Sequence, residues 1–238
     1  MERKILDNGY IKLIEHWGSD ERIVEAARMS VDKGFVSWEP YEGHPRGDFG
    51  LLSHLWHNKH ATPFEMAGMI IEVKAPIFVF REWHRHRTQS YNEMSARYIP
   101  LPNENYWPDL RDLLIRGNMQ SSNKQAQGSG DLSLHEACEW RKKLGQAYEA
   151  AQEAYEFGIK VGVPKELARL SVPVARYSAM RASANLRNWL AFLTLRNHPT
   201  AQQEIRLYAE AVSDIIQDLF PKTHSLLSLI HISEPTRH

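Results

Sequence analysis

Alternating apolar and polar residues from Gly9 to Trp17 predict a strand, and Ser19 ahead of Asp20 and Glu21 predicts the cap and acidic first turn of a helix running to Met29. Val36 to Asp48 is dense in Gly, Pro and charge and reads as loop, followed by a helix from Phe49 to about Lys59. Met66 to Ala75 reads as a buried strand. Pro76 suits the first position of a helix over Ile77 to about Arg85, whose end leads into the basic run His84-Arg85-His86-Arg87.

In the second half, Leu132 to Gly158 is a long helix with Ala137, Trp140, Leu144, Tyr148, Ala151 and Tyr155 at helical spacing. Pro164 opens a short helix to about Ser171, Val172 to Ser183 reads as strand, and Asn185 caps a helix to about Arg196. Pro199 starts a last helix whose stripe is Ile205, Tyr208, Ala209, Val212, Ile215, Ile216 and Leu219. Residues 116–131 are too polar and simple to pack and predict a flexible loop. The tail from Thr223 to His238 continues no stripe and resembles translated vector sequence, so it is expected to stand outside the fold as non-native or disordered chain.

Composition narrows the class. The chain has 238 residues, enough for a sizeable core, and a single cysteine, Cys138, which cannot form an internal disulfide and points to a reducing, cytoplasmic setting. Cys138 falls mid-helix among core-facing positions and is expected to pack. No run approaches the roughly 18 apolar residues of a membrane span. Formal net charge is zero, from 29 basic and 29 acidic residues, which disfavours a general polyanion binder. Charge is nevertheless uneven: Leu167 to Gln203 holds Arg169, Arg176, Arg181, Arg187 and Arg196 and no Asp, Glu or Lys. Either an anionic ligand or acids from elsewhere must balance them, and the fork geometry of arginine favours the ligand.

The chemistry concentrates in Arg85-His86-Arg87-Thr88-Gln89-Ser90-Tyr91-Asn92-Glu93-Met94-Ser95-Ala96-Arg97. Three arginines and a histidine crowd together after a helix end whose dipole does not favour an anion, so an anionic partner is needed to hold them. The stretch resembles, at every fixed position, the RHRxxSxNExSxR signature of flavin-dependent thymidylate synthases. With eight fixed positions, a chance match is on the order of 10⁻¹⁰ per start. His60-Ala61-Thr62-Pro63-Phe64-Glu65 is similar to the family's H-x-T-x-x-E segment. Gly162 to Arg169 and Asn185 to Arg196 resemble its second half.

The resemblance implies an α/β chain of the α+β type, with a central, mostly antiparallel sheet flanked by helices, in one catalytic domain over 1–222. It implies reductive methylation of dUMP to dTMP, with methylenetetrahydrofolate as one-carbon donor and FAD reloaded by NADPH, in a homotetramer that shares its sites between subunits. Carried over position by position, dUMP would meet Glu93, Ser95, Arg97, Arg169 and Arg196, with Arg196 on the uracil oxygens as the catalytic group. FAD would meet His60, Thr62, Glu65, Arg85, His86, Arg87, Asn92, Asn185 and Arg187. Ala191, Thr200 and Glu82 depart from common family residues, and Asn188 and His198 are candidates to compensate.

Plainer readings compete with these. Glu93 and Arg97 are spaced for a surface ion pair, and Thr62 with Glu65 for a capping box. The run His84-Arg85-His86-Arg87 with Trp83, Tyr91 and Tyr98 nearby suits a single-strand nucleic-acid binder, which the zero net charge opposes. His54, His57 and His60 could be metal ligands, but no HExxH-type signature accompanies them.

Overall fold

A computed structural model describes residues 1–119, 128 and 130–228. Its frame is one five-stranded sheet in the order β1-β2-β3-β5-β4, where β1 is Glu2–Ile5, β2 Gly9–Trp17, β3 Gly68–Pro76, β4 Ser90–Glu93 and β5 Tyr177–Asn185. Every neighbouring pair is antiparallel, and β3 and β5 form the centre, with Met69 opposite Ala184, Ile71 opposite Ala182 and Val73 opposite Met180. That face is apolar and buried. On the other face Glu72 lies opposite Arg181 and Ile70 opposite Ser183, and β4 adds Asn92 beside Arg181. The strict period of two thus divides the sheet into a core side and a polar side.

The helices are α1 (Asp20–Arg28), α2 (Gly47–His57), α3 (Ile77–Trp83), α4 (Leu110–Gly117), α5 (Leu134–Lys160), α6 (Lys165–Ala168), α7 (Leu186–Arg196), α8 (Gln203–Leu219) and α9 (Pro221–Ser228). The core lies between the sheet's apolar face and α1, α3, α7 and α8. From the α8 stripe, Ile205, Tyr208, Ala209, Val212, Ile215 and Ile216 are fully buried, as the spacing requires. Trp83, Trp189 and Phe192 meet edge-on or tilted at its centre, with Trp83 and Phe192 centroids 4.7 Å apart.

Several expected boundaries move for physical reasons. Pro173 has no N–H to give a ladder, so the fifth strand begins at Tyr177 instead of Val172. The chain between is fixed by Arg176, fully buried, which donates to Asn105 Oδ1 (3.0 Å), Pro102 O (2.8 Å) and Gln152 Oε1 (2.7 Å). Met66 ends a 3₁₀ turn over Thr62–Met66, leaving β3 to start at Gly68. Trp140 on α5 is 45% exposed and does not join its predicted stripe. Most of the polar loop within 116–131 lies outside the described residues.

The tail expectation is corrected for residues 223–228. They lie in α9, where Asp20 accepts bonds from the Lys222 N–H (2.7 Å), the Thr223 N–H (3.1 Å) and the Thr223 hydroxyl (2.6 Å), and Leu226 is fully buried. A carboxylate on α1 therefore caps the last helix. Residues 229–238 lie outside the described residues. Ending the chain after Phe220 is expected to lower the denaturation midpoint relative to ending it after Ser228, because the bonds from α9 to Asp20 and the burial of Leu226 are lost. Urea unfolding of both truncations checks this.

Candidate functional site

The loop after α3 is wound tightly by its own residues. The Tyr91 hydroxyl donates to Trp83 O (3.1 Å) and His86 O (2.8 Å), while Trp83 Nε1 donates to Gln89 Oε1 (3.0 Å). This winding turns His86 and Gln89 inward and leaves Arg85, Arg87 and Thr88 exposed. Neither Arg85 nor Arg87 has an ion pair among the described residues.

His86 meets Arg196, at the far end of α7. Arg196 Nε donates to His86 Nε2 at 2.9 Å, and its terminal nitrogens donate to Glu82 Oε2 at 2.7 Å and Glu82 O at 2.9 Å. An Nε2 that accepts from a guanidinium carries no proton. Burial, with the Arg196 charge assisting and Glu82 opposing, accordingly holds the His86 pKa at about 4.

A second cluster forms where the motif ends against α6. Gly162, at φ +86°, reverses the chain after α5, so that α6 and the turn Arg169–Ser171 face the motif. Arg97 Nε reaches Glu166 Oε2 at 3.1 Å, Arg169 Nε donates to Glu166 O at 3.3 Å, and Lys165 Nζ donates to Tyr98 O at 2.8 Å. Ser95 Oγ accepts from the Arg97 N–H at 3.3 Å. Of the three cations here only Arg97 meets a carboxylate, that of Glu166, while Arg169 and Lys165 bond backbone carbonyls, so the corner carries two cations more than it pairs, beside a serine hydroxyl. Arg97 and Glu166 are both more than half exposed, and such a pair contributes little to stability. Glu93 does not pair with Arg97; its carboxylate is exposed and unpaired among the described residues.

The third group lies at the start of α7. Asn185 Oδ1 accepts from the Asn188 N–H (3.0 Å) and caps the helix, and Asn188 Nδ2 donates to Thr88 O (3.2 Å), tying α7 to the motif loop. Arg187 pairs with Glu65 at 2.5 Å, and the capping box of Thr62 with Glu65 does not form. Arg187 borders a cavity of about 480 Å³ walled by Leu55, Trp56, His57, Lys59, Ala61 and Phe64, within the size range of small-molecule sites. His60 is exposed, with its ring 5.6 Å from that of His54. His57 Nδ1 turns back to Ser53 O (2.7 Å), and no group of three metal-ligating side chains forms among the described residues.

The sequence-predicted residues thus gather in three places: Ser95, Arg97 and Arg169; Arg196 with His86; and Thr62, Glu65, Asn185 and Arg187 near the cavity. Apart from the Asn188 bond to Thr88, which links the third place to the motif loop, no side-chain hydrogen bond among the described residues joins one place to another. Asn92 stands apart on the polar face of the sheet, opposite Arg181. Two of the five arginines leave the ligand account, Arg176 as a buried tie and Arg181 paired with Glu72 at 3.4 Å. Cys138, expected to pack, is exposed, because its position on α5 faces away from the chain's core. Sequence reasoning missed the cavity walls from α2 and the part played by Glu166. The latter was legible only as an acid three residues before Arg169.

Comparison with known proteins identifies the family. The sequence profile of a family described as thymidylate synthase complementing protein matches residues 12–222. A flavin-dependent thymidylate synthase of Ehrlichia ruminantium (strain Gardel) is 37% identical over 225 residues, 94% of this chain and 72% of the relative. One of Thermus thermophilus is 37% identical over 217 residues, 91% of this chain and 74% of the relative. A crystal structure of a UMP/dUMP methylase, PolB of Streptomyces cacaoi bound with 5-Br dUMP, superposes with a TM-score of 0.80 at 32% identity, covering 95% of this chain and 97% of that one. A profile match over most of the chain, relatives of this identity and a shared fold together establish that the chain belongs to the flavin-dependent thymidylate synthase family.

Proposed function

We propose that this chain makes dTMP from dUMP, with FAD as its flavin, methylenetetrahydrofolate as one-carbon donor and NADPH as reductant, in the cytoplasm and as a homotetramer. The observation that carries the reading is the corner where Arg97 meets the one carboxylate, Glu166, while Arg169 and Lys165 meet only the backbone carbonyls of Glu166 and Tyr98, with Ser95 beside Arg97. A phosphate monoester supplies the negative charge this cluster lacks, and guanidinium forks match its oxygens. Glu93, unpaired nearby in sequence, is free to accept from a ribose hydroxyl. Arg196 is assigned to the uracil oxygens, where it stabilises the charge that develops as the ring carbon reacts.

The donor set also fits a flavin dinucleotide. Arg85 and Arg87 are exposed cations without counter-ions among the described residues, and Arg187 stands at the rim of a cavity walled by Trp56, Phe64 and Leu55. Apolar flat walls with a cation at the rim suit a stacked ring system with an anionic linker. Arg85, His86, Arg87 and Asn92 from the motif, His60, Thr62 and Glu65 from the turn after α2, and Asn185 and Arg187 from α7 would hold it. His86, with Nε2 committed to Arg196, offers its Nδ1 edge. The bound flavin supplies hydride to reduce the transferred methylene to methyl. The residues' share is to bind, orient and exclude water. The separation of the three groups within one chain supports a site completed by neighbouring subunits.

Four outcomes follow. Purified protein is expected to show a flavin absorbance spectrum that changes on adding dUMP, and to release tritium from ring-labelled dUMP when NADPH and the folate are present; a colourless protein that takes up no flavin contradicts the reading. Arg97→Ala and Arg169→Ala should each raise KM for dUMP on the order of 10- to 100-fold, the size of a lost charge-assisted bond, without changing the flavin spectrum. Cys138→Ala should retain kcat in the same assay.

The remaining outcome concerns pH. An unfolded His86 takes up its proton near 6.5, whereas the folded ring resists until about pH 4. The unfolded chain binds more protons between these values, so the stability carried by the neutral ring is complete above the upper one and is lost as pH falls toward the lower. The denaturation midpoint of the wild-type chain should fall more steeply across that window than that of His86→Gln.

A further inference from the structure

Glu82 holds Arg196 by both ends. Its carboxylate takes one terminal nitrogen (2.7 Å) and its own backbone carbonyl the other (2.9 Å), while His86 Nε2 takes the Nε–H (2.9 Å). Glu82 stands in the last turn of α3 and Arg196 in the last turn of α7, so the three bonds tie the ends of two helices that lie far apart in sequence. The Arg196 side chain is 16% exposed and that of Glu82 39%. Each guanidinium nitrogen gives one N–H to this arrangement, which leaves one N–H on each terminal nitrogen.

A simple counter-ion requires less than this. Charge balance needs one carboxylate contact, and it does not need the Nε–H to be directed into a buried imidazole that must stay uncharged to accept it. Three acceptors set around a planar cation instead remove its rotational freedom, and what remains is a pair of N–H groups with a fixed direction. A donor lowers a barrier in proportion to how well it is aimed before the reaction begins.

We infer that Glu82 is a positioning residue for the reaction, clamping the Arg196 guanidinium so that its two free N–H groups are presented in one orientation; this rests on the reading that Arg196 addresses the uracil oxygens. Glu82 acts through Arg196 and does not itself meet the reacting atoms. The feature that positions is an acceptor at the place of Oε2, so an amide oxygen there should serve, while its loss should release the fork.

The test compares Glu82→Ala and Glu82→Gln in flavin-loaded protein, by the imidazole nitrogen NMR shifts of His86 and by steady-state kinetics. With the clamp removed, Glu82→Ala should shift the His86 Nε2 signal toward that of a solvent-bonded ring and lower kcat about tenfold or more, with KM for dUMP changed less than kcat. Glu82→Gln should recover both the signal and most of kcat. An unchanged His86 signal in Glu82→Ala overturns the clamp, whatever the activity, and so does a Glu82→Gln variant as impaired as Glu82→Ala. A shifted signal with full activity keeps the bond network but removes Arg196 from the uracil, and the positioning role falls with it. Should Glu82→Ala not fold, Glu82→Asp, which withdraws the carboxylate by one methylene, carries the same comparison.

Discussion

A guanidinium cannot give up its proton inside a protein, so each arginine brought to this site must be matched by a fixed acceptor or left for a ligand. The structure does both, in different places. Arg187 faces one carboxylate, Glu65, and Arg196 faces one, Glu82, so each of these pairs is neutral. Arg97 takes the Glu166 carboxylate while Arg169 and Lys165 have only backbone carbonyls as partners, and that corner remains positive. A nucleotide monophosphate meeting these groups has an electrostatic reason to place its phosphate at the cluster by α6 and its uncharged ring elsewhere. The zero net charge of the whole chain hides this local asymmetry.

The sheet makes the arrangement possible by leaving one face and its rim free. β3 and β5 bury their apolar face beneath α3, α7 and α8, and the chain leaving β3 through α3 opens directly into the motif loop. α7 leaves β5 with Asn185 as its cap, Arg187 in its first turn and Arg196 in its last. At a rise of 1.5 Å per residue the two arginines lie about 13 Å apart along the axis, so one helix serves the cavity beside α2 with one end and the His86 clamp with the other. The packing of Trp83, Trp189 and Phe192 fixes that helix against α3, which is why Glu82 and Arg196 meet.

Much of this was legible in the residues, and what was not has physical causes. Helices with a cap and a stripe were read with small errors, because Ser19, Asn185 and the spacing from Ile205 to Leu219 are local signals. β1 and β4 were missed: each has four residues, too few to show a period, and β4 lies inside the polar motif itself. α4 was missed although Asp109 caps it through the Arg111 and Asp112 N–H groups. α9 was set aside because its partner, Asp20, is some two hundred positions away and leaves no local trace. The arginines stand out in the sequence as a group, but their sorting into tie, sheet pair and ligand candidate depends on Asn105, Gln152, Glu72, Glu82 and Glu166, which only the fold brings to them.

The central claim is that the positive corner formed by Arg97, Arg169 and Lys165 exists to hold the nucleotide's phosphate. Calorimetric titration of the flavin-loaded protein with dUMP and with deoxyuridine, at one fixed salt concentration, tests it directly. The account predicts that dUMP binds on the order of 100-fold or more tightly than the nucleoside, as expected for two charge-assisted bonds to phosphate. Equal affinities for the two would contradict it.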